Sequence, residues 1–343
     1  MTMDTINIYT KDGWLDIPAI RSLGCWLNVI IGARQVGKTY GVTKDLLDRG
    51  QPFMFMRRTS EELAAICGDP DLDPWIKLDR EGYKVRMAKV SGSKTYAIGD
   101  INPDNGKIEN RRGMGISLST VATVRGFSGD QYTDLLFDEF IPEEFVIVRK
   151  SMGDAFVNAL KTIGGNRELE GRPPLTVWLL ANANSIQSPI LQSLNLLDDL
   201  DGLIREDKEW TITENRVFLA MPRSDQITSM QKNTPLMRQI QGGSSYEMMV
   251  NNKFAYDDLG KVKRHSLTGW QPYLNIGKLG IWSSGTHLYV TTTKGKAVSY
   301  LDTEDEIKRC DREHPEIRLM YLNGYVTFYS TKTYLTFKGY LKI

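Results

Sequence analysis

The 343-residue sequence contains few of the residues that build disulfide frameworks or zinc sites. It has three cysteines and three histidines, and Cys25, Cys67 and Cys310 lie far apart. Three widely spaced thiols cannot all pair within one chain, which favours a reducing compartment. The histidines show no metal-ligand spacing, so the sequence predicts no zinc centre.

The sequence also lacks long apolar runs and a strong net charge. No stretch approaches the roughly 18 uninterrupted apolar residues of a membrane span, so we expect no membrane partner. The formal net charge is +1, which neither requires nor excludes a nucleic-acid partner. Hydrophobic residues make up 41% of the chain, enough for a sizeable core, and the length favours about two domains.

Alternating strand and helix patterns in the first half predict a mostly parallel α/β sheet with helices on both faces. Strands are predicted at residues 25–31, 52–56, 135–137 and 175–181. A helix is predicted over residues 39–49, and the capping-box pattern from Thr59 to Glu62 predicts another. Residues 77–120 instead carry repeated turn signals, which predict antiparallel hairpins attached to this sheet.

The sequence divides into a first domain, a linker and a smaller second domain. We predict these over residues 1–207, 208–252 and 253–343. The linker contains a small helical element, and the second domain is mixed α/β. Its strands are predicted at residues 279–283, 286–292, 297–302 and 325–329, with a helix over residues 304–312.

Residues 32–39 match the phosphate-binding pattern G-x-x-x-x-G-K-[ST] in full. They are Gly32, Ala33, Arg34, Gln35, Val36, Gly37, Lys38 and Thr39. The motif follows a predicted strand and opens a predicted helix, as its mechanism requires. Backbone N–H groups would surround the phosphates of ATP, Lys38 would reach the β- and γ-phosphates, and Thr39 would bind Mg²⁺. Tyr40 completes the predicted nucleotide site.

Residues 134–139 (DLLFDE) form an apolar strand that ends in two carboxylates. Asp138 is predicted to hold Mg²⁺ through water, opposite Thr39. Glu139 is predicted to polarise the attacking water as general base, so the pair favours hydrolysis. Asp134 fits better as the first residue of the strand than as a ligand.

Two further positions are candidates for the catalytic machinery. Asn182 follows a predicted strand and would sense the γ-phosphate or orient the water; Asn184 is the second choice, and an Asx turn is the alternative. An arginine from a neighbouring subunit can stabilise charge on the transferred phosphoryl group. Arg167 is the first candidate for this finger and Arg172 the weaker one, with ordinary solvated arginines as the alternative.

Four blocks together resemble the DNA-packaging ATPase of small, protein-primed podophages (Salasmaviridae-like). The blocks are VIIGARQVGKTY, FMRRTSEEL, DLLFDEFI and LLANANS. Their order and spacing agree with that family, as do the Gly-Ala-Arg of the loop and the double arginine Arg57-Arg58. The resemblance covers roughly residues 25–225 well and the remainder loosely.

The resemblance implies a P-loop ATPase domain of the additional-strand, conserved-glutamate (ASCE) class and a degenerate, RNase-H-like vestigial nuclease domain. It implies ATP and Mg²⁺ as cofactors. Its partners would be double-stranded DNA, the portal of an empty prohead, a packaging RNA and further copies of the chain in a pentameric ring. Such a motor would work in the host-cell cytoplasm, at the portal vertex, and be absent from the mature virion.

Two departures from the family pattern affect the site. The family's finger arginine precedes the Asn-Arg-Glu block by one position, which is Gly165 here, so we expect the finger at Arg167. The segment KLGIWSSGTHLYVTTT contains no Asp or Glu, although two-metal nuclease chemistry needs such ligands. We therefore expect no nuclease activity.

The resemblance also makes basic segments candidates for DNA contact. A translocating ring must accept any DNA sequence, so it should contact phosphates rather than bases. The hairpins within residues 77–112 are the candidate pore loops that contact DNA. The linker and the basic stretch at residues 261–264 are candidate contacts with RNA, the portal or DNA. Other functions remain open from the sequence. They are a RecA-like or AAA-like remodelling ATPase or helicase, a non-motor nucleotide-binding scaffold and, remotely, a small-molecule kinase.

Overall fold

The computed structural model describes residues 6–33, 35–102, 104–121, 129–142, 151–182, 188–241 and 259–341. The chain forms two compact units. The first lies within Met1–Leu194 and Leu203–Tyr256, and the second within Asn195–Gly202 and Asp257–Ile343. Among the described residues, no helix combines the length and the apolar character that crossing a bilayer requires.

A nine-stranded sheet forms the centre of the first unit. Its strands in chain order are β1 Leu27–Gly32, β2 Phe53–Arg57, β3 Val85–Lys89, β4 Tyr96–Ile101, β5 Ile108–Ser117, β6 Asp134–Asp138, β7 Thr176–Asn182, β8 Trp210–Ile212 and β9 Val217–Ala220. Their spatial order is β3-β4-β5-β2-β6-β7-β1-β9-β8. Six neighbouring strands in this order, β5, β2, β6, β7, β1 and β9, pair in parallel. β3, β4 and β8 add antiparallel edges.

The central strands are buried along their whole length, since β1 and β6 have no exposed residue. Parallel sheets need cover on both faces, which explains the continuous apolar runs in these strands. The helices up to residue 241 are α1 Ile17–Ser22, α2 Lys38–Arg49, α3 Ser60–Gly68, α4 Leu118–Val121, α5 Met152–Gly164, α6 Pro189–Ser193, α7 Leu197–Arg205, α8 Asp225–Lys232 and α9 Pro235–Gln239. Short 3-10 helices span Pro70–Leu72 and Ile76–Glu81.

Local sequence signals explain where several elements begin. Thr59 caps α3 by accepting a hydrogen bond from the Glu62 N–H, as the capping pattern predicts. The Glu62 side chain accepts from the Arg58 N–H rather than from Thr59 itself. The predicted antiparallel hairpins at residues 77–120 are confirmed by β3, β4 and the start of β5.

The strand order confirms the α/β architecture and corrects the predicted linker. β7 lies between β1 and β6 and pairs with both, which is the additional strand that the resemblance implies. β8 and β9 lie in the same sheet, and β9 pairs with β1. The predicted linker therefore starts too early at residue 208, because β8 and β9 still belong to the sheet of the first unit. The sequence did not indicate these short strands, because β9 is held by hydrogen bonds to β1, which is distant in sequence.

The second unit contains a five-stranded mixed sheet, which confirms a mixed α/β fold. Its elements are β10 Gln271–Ile276, β11 Leu279–Ser283, β12 Leu288–Thr291, β13 Val298–Tyr300, α10 Glu304–Glu313, α11 Pro315–Leu322, β14 Val326–Phe328 and α12 Thr331–Leu341, after a 3-10 turn at Leu259–Lys261. The spatial order is β13-β10-β11-β12-β14. β10 to β12 form an antiparallel meander, with β13 and β14 added in parallel at its edges. The RNase-H-like assignment is more specific and stays a prediction.

Candidate nucleotide-binding site

The glycine-rich loop connects β1 to α2 at the carboxyl edge of the parallel strands. β1 ends at Gly32 and α2 begins at Lys38. Gln35 and Gly37 have φ values of +65° and +87°, which lie in the left-handed region and allow the chain to reverse tightly. Arg34 lies outside the described residues. Backbone N–H groups at the start of a helix favour negative charge, so the start of α2 suits this edge to anionic phosphates.

Lys38 is buried against the loop that precedes it. Its Nζ donates hydrogen bonds to the carbonyl oxygens of Gly32 at 2.9 Å and Ala33 at 2.6 Å. The same Nζ lies 3.4 Å from Oδ1 of Asn182, because Asn182 is the register neighbour of Gly32 on β7. One ammonium thus joins the loop to the tip of the neighbouring strand. This is the position from which it would reach β- and γ-phosphate oxygens.

Thr39 and Asp138 face each other across the loop. Thr39 Oγ1 donates to Asp138 Oδ1 at 2.9 Å. Burial raises the pKa of the Asp138 carboxyl; Arg57, the Thr39 hydrogen bond and Lys38 oppose that rise, while Glu139 adds to it. A buried carboxylate beside a hydroxyl supplies the hard oxygen donors that Mg²⁺ prefers, with phosphates completing the shell. The two residues therefore fit Mg²⁺. The described residues hold no cluster of three or more His, Cys, Asp and Glu side chains suited to a metal, and nucleotide-bound Mg²⁺ needs none.

Arg57 holds both carboxylates at the tip of β6. Its Nη2 lies 2.8 Å from Asp138 Oδ2, and its Nη1 lies 2.6 Å from Glu139 Oε2. The guanidinium also lies 5.7 Å from the centre of the Phe55 ring. The sequence singled out Arg57 as part of the double arginine Arg57-Arg58 that the resemblance includes. Its contacts depend on β2 being the sheet neighbour of β6, and strand order is not encoded locally.

Glu139 combines an exposed carboxylate with an unusual backbone. Its side chain is 54% exposed, so water has access to the group that is predicted to act as general base. Its φ is +56°, which a residue with a Cβ adopts at a cost. The next residue, Phe140, donates its N–H to the Leu180 carbonyl at 3.1 Å. The chain therefore turns sharply at Glu139 and is fixed onto β7 directly afterwards.

Arg167 lies at the opposite edge of the sheet, which contradicts its predicted role as a finger. The residue is 5% exposed. Its Nη2 donates to the carbonyl oxygens of Asp130 at 3.1 Å and Tyr132 at 2.6 Å, just before β6 begins. A side chain committed to its own backbone carbonyls cannot extend into a neighbouring subunit. The prediction was wrong because burial of an arginine leaves no local trace in the sequence.

Arg172 and Gly165, the two other positions considered for the arginine finger, lie at the same edge of the sheet. Arg172 forms ion pairs with Asp130 at 3.4 Å and Glu170 at 2.8 Å. Gly165 ends α5 with φ +56°, and a Cβ placed there would lie 2.7 Å from Asp130 Oδ1. No arginine could occupy that position without moving its neighbour. The described residues therefore leave the trans-acting arginine unassigned.

Tyr40 and Asn184 complete the predicted site residues, and their roles stay predictions. Tyr40 lies in α2, and its hydroxyl donates to Glu81 Oε1 at 2.7 Å. That hydrogen bond ties α2 to the 3-10 helix at Ile76–Glu81, and a contact of Tyr40 with nucleotide stays a prediction. Asn184, the alternative to Asn182, lies outside the described residues.

The sequence matches the model of one family over residues 14–309, described as podovirus DNA encapsidation protein (Gp16). The DNA packaging protein of Bacillus phage B103 is 25% identical over 299 residues, covering 82% of this chain and 83% of the relative. That of Bacillus phage phi29 is 24% identical over 295 residues, covering 81% and 80%.

Two solved structures have a similar fold over almost the whole chain. The bacteriophage Phi-29 viral genome packaging motor assembly has a TM-score of 0.64 at 21% identity, covering 96% of this chain and 99% of that chain. The Phi-28 gp11 DNA packaging motor has a TM-score of 0.61 at 15% identity, covering 97% and 99%. At these identities the likeness establishes the fold.

Proposed function

The chain belongs to the podovirus DNA encapsidation protein family, and we propose that it is the ATP-hydrolysing motor that drives viral double-stranded DNA into a preformed capsid. The observation that carries this proposal is the 2.9 Å hydrogen bond from Thr39 Oγ1 to Asp138 Oδ1. It joins the helix after the phosphate loop to the tip of an acidic strand. These are the two parts that share one nucleotide-bound metal in P-loop ATPases.

In this mechanism each residue at the carboxyl edge has a separate task. The loop residues bind the phosphates through backbone N–H groups, and Lys38 neutralises the β- and γ-phosphates. Thr39 and Asp138 would hold Mg²⁺, which would neutralise charge on the phosphate oxygens. Glu139 accepts the proton of the attacking water as its oxygen approaches the γ-phosphorus. Asn182 orients that water or contacts the γ-phosphate from the tip of β7.

The proposed partners follow from family membership and from exposed basic side chains. A homomeric, pentameric ring would surround DNA at the prohead portal in the host-cell cytoplasm, with a packaging RNA as a further partner. In the β3–β5 hairpins, Arg86 pairs with Asp79 and Arg112 pairs with Asp100, both at 2.8 Å. Lys89, Lys94 and Lys107 are exposed, and within the described part of the chain none of them forms an ion pair. These three are the proposed contacts with DNA phosphates.

The second unit is proposed to lack nuclease activity. Among the described strands of its sheet, β11 and β12 carry no acidic residue, and hydrolysis with two metal ions requires carboxylates at such positions. Supercoiled plasmid incubated with the purified chain and Mn²⁺ should stay supercoiled. Nicking that persists through repeated purification would refute this part of the proposal.

The packaging reaction tests the motor function directly. Purified proheads, DNA and ATP are combined with wild-type chain, Lys38→Ala or Glu139→Gln, and nuclease-protected DNA is measured. Both variants should lose packaging, while Glu139→Gln still binds ATP. Glu168→Gln, an exposed glutamate at the opposite edge, is the matched control and should package normally. Full activity of Lys38→Ala or Glu139→Gln would refute the mechanism.

A further inference from the structure

Trp14 is a large apolar side chain that is 43% exposed directly beside the phosphate loop. A Cβ built on Gly37 would lie 3.4 Å from Trp14 Cε3 and 3.8 Å from Trp14 Cβ. The indole therefore packs against the last loop residue before Lys38. It covers the loop at Gly37 and still presents much of its surface to solvent.

The backbone that carries Trp14 is fixed to the loop. The Thr10 N–H donates to the Trp14 carbonyl at 2.7 Å, and the Trp14 N–H donates to Thr10 Oγ1 at 3.2 Å. The next residue, Leu15, is buried and donates its N–H to the Val36 carbonyl at 3.3 Å. The indole thus stands on a turn that is hydrogen-bonded to the phosphate loop itself, so its position follows that of the loop.

The anchoring extends to the other side of the turn. Tyr9 pairs with Leu15 in an antiparallel bridge, and its hydroxyl donates to Glu209 Oε2 at 2.6 Å and accepts from the Arg223 N–H at 2.8 Å. A Cβ on Gly13 would lie 2.8 Å from Ser224 Oγ, so the turn also packs closely against the start of α8. An exposed aromatic held this firmly is preorganised, and a ligand that stacks on it would lose little entropy in ordering it.

We infer that Trp14 is the base-stacking residue of the nucleotide site and binds the purine ring of ATP against its exposed face. The inference rests on the proposed nucleotide binding at the loop. Phosphates bound by the loop and by Lys38 bring the attached nucleoside to the rim of the loop, where Trp14 packs on Gly37. A planar base offers a π-face that an aromatic side chain can stack on, and stacking needs no hydrogen-bonded readout.

The inference makes Trp14 a determinant of base affinity but not of phosphate affinity. Removing an aromatic that stacks on a base weakens binding by roughly 5- to 160-fold in nucleic-acid complexes. Trp14→Ala should therefore raise the Kd of Mg·ADP by about 10-fold, and Trp14→Phe should keep most of the affinity. Inorganic tripolyphosphate has no base, so its Kd should change less than twofold in either variant.

Equilibrium binding by calorimetry on the full chain measures these constants, and the same variants give KM and kcat for ATP hydrolysis. A stacking residue should raise KM and leave kcat unchanged, because the base binds equally in the ground and transition states. Leu169→Ala is the matched control, since Leu169 is 88% exposed at the opposite edge of the sheet. Thermal unfolding of each variant checks that the chain is folded.

Two outcomes would overturn the inference. If Trp14→Ala lost affinity for Mg·ADP and for tripolyphosphate by the same factor, the indole would only support the loop. Unchanged Mg·ADP affinity would show that the base lies elsewhere. Either result leaves the proposed function intact. Failure of the wild-type chain to bind both ligands, or Lys38→Ala binding both normally, would instead count against the nucleotide site itself.

Discussion

Arg57 Nη1 lies 2.6 Å from Glu139 Oε2, and this contact joins the end of one strand to the proposed general base on its neighbour. The same guanidinium binds Asp138 at 2.8 Å. Burial disfavours the ionised form of Asp138, and Arg57 is the main group that opposes this effect. Before nucleotide binds, the ionised form of Asp138 therefore depends mainly on Arg57 from β2, with Thr39 and Lys38 as further contributors.

We expect Arg57→Met to destabilise the nucleotide-free chain more than the nucleotide-bound chain. Removing one partner of a buried ion pair leaves an uncompensated charge and costs about 3 kcal/mol of unfolding free energy. Mg·ADP should reduce this loss, because a cation at Asp138 replaces the missing charge. Urea unfolding with and without Mg·ADP measures both effects.

Arg312→Met removes an exposed arginine of the second unit and is the control for Arg57→Met. It should leave both unfolding free energies within about 0.5 kcal/mol of wild type. A loss in Arg57→Met that Mg·ADP does not reduce would contradict the counterion role.

Asn182→Ala should slow hydrolysis without weakening nucleotide binding. The Asn182 amide lies at the tip of β7, 3.4 Å from the Lys38 ammonium, where it can act on the γ-phosphate or the water. Loss of one polar group that stabilises the transition state lowers kcat by about 100-fold, while the Kd of Mg·ADP should change less than threefold. Single-turnover hydrolysis and calorimetry separate the two. Asn215→Ala, at an exposed site far along the chain, should behave as wild type, and normal turnover in Asn182→Ala would favour the Asx-turn alternative.

Arg167→Ala should lower stability and leave the chemistry of the folded fraction intact. Its guanidinium holds the carbonyl oxygens of Asp130 and Tyr132, and loss of charged hydrogen bonds at a buried site costs about 2–3 kcal/mol. Chemical denaturation gives the stability, and ATPase activity is expressed per folded chain. Rings mixed from wild-type and folded Arg167→Ala subunits should keep wild-type activity at every variant fraction. A stable variant that inactivates mixed rings steeply would restore the finger role.

The variant Asp73→Asn should gain stability relative to wild type as the pH rises. Burial raises the pKa of Asp73 to about 6, and the hydrogen bond from the Trp75 N–H opposes this only in part. A carboxyl whose pKa is raised by folding stabilises the fold below its unfolded pKa, and that contribution is lost as the pH rises through about 6. The asparagine Oδ1 can keep the Trp75 hydrogen bond.

Thermal unfolding at pH 4.5 and pH 8 checks this prediction for Asp73. The variant and wild type should differ little at pH 4.5, and the variant should be more stable at pH 8 by about 1–2 kcal/mol. If the variant and wild type differed in stability by the same amount at pH 4.5 and pH 8, the fold would not hinder ionisation of Asp73.

The parts of the site that the sequence predicted are those with local physical signals. A strand, a turn with glycine at Gly37 and a helix beginning at Lys38 are fixed by neighbouring residues, so the loop was predictable. Asp138 was predictable because an apolar strand that ends in carboxylates is also a local pattern. Their approach to within one hydrogen bond followed from placing both at the carboxyl edge of one parallel sheet.

The parts that the sequence did not predict depend on distant partners. β8 and β9 are short; β9 pairs with β1, which is distant in sequence, and β8 pairs with β9. β10 begins with Gln271 and Pro272, which weaken a strand pattern, and it is stabilised by β11 and β13 on either side. Arg57 and Arg167 look alike in sequence, yet one reaches the nucleotide edge and the other binds carbonyls at the opposite edge.

The left-handed backbone at Glu139 has a consequence for how this motor can change. A residue with a Cβ at φ +56° costs the fold on the order of 1 kcal/mol, and glycine would remove that cost together with the carboxylate. At residue 139, the backbone conformation that lowers the stability of the fold therefore also carries the carboxylate on which the proposed hydrolysis depends.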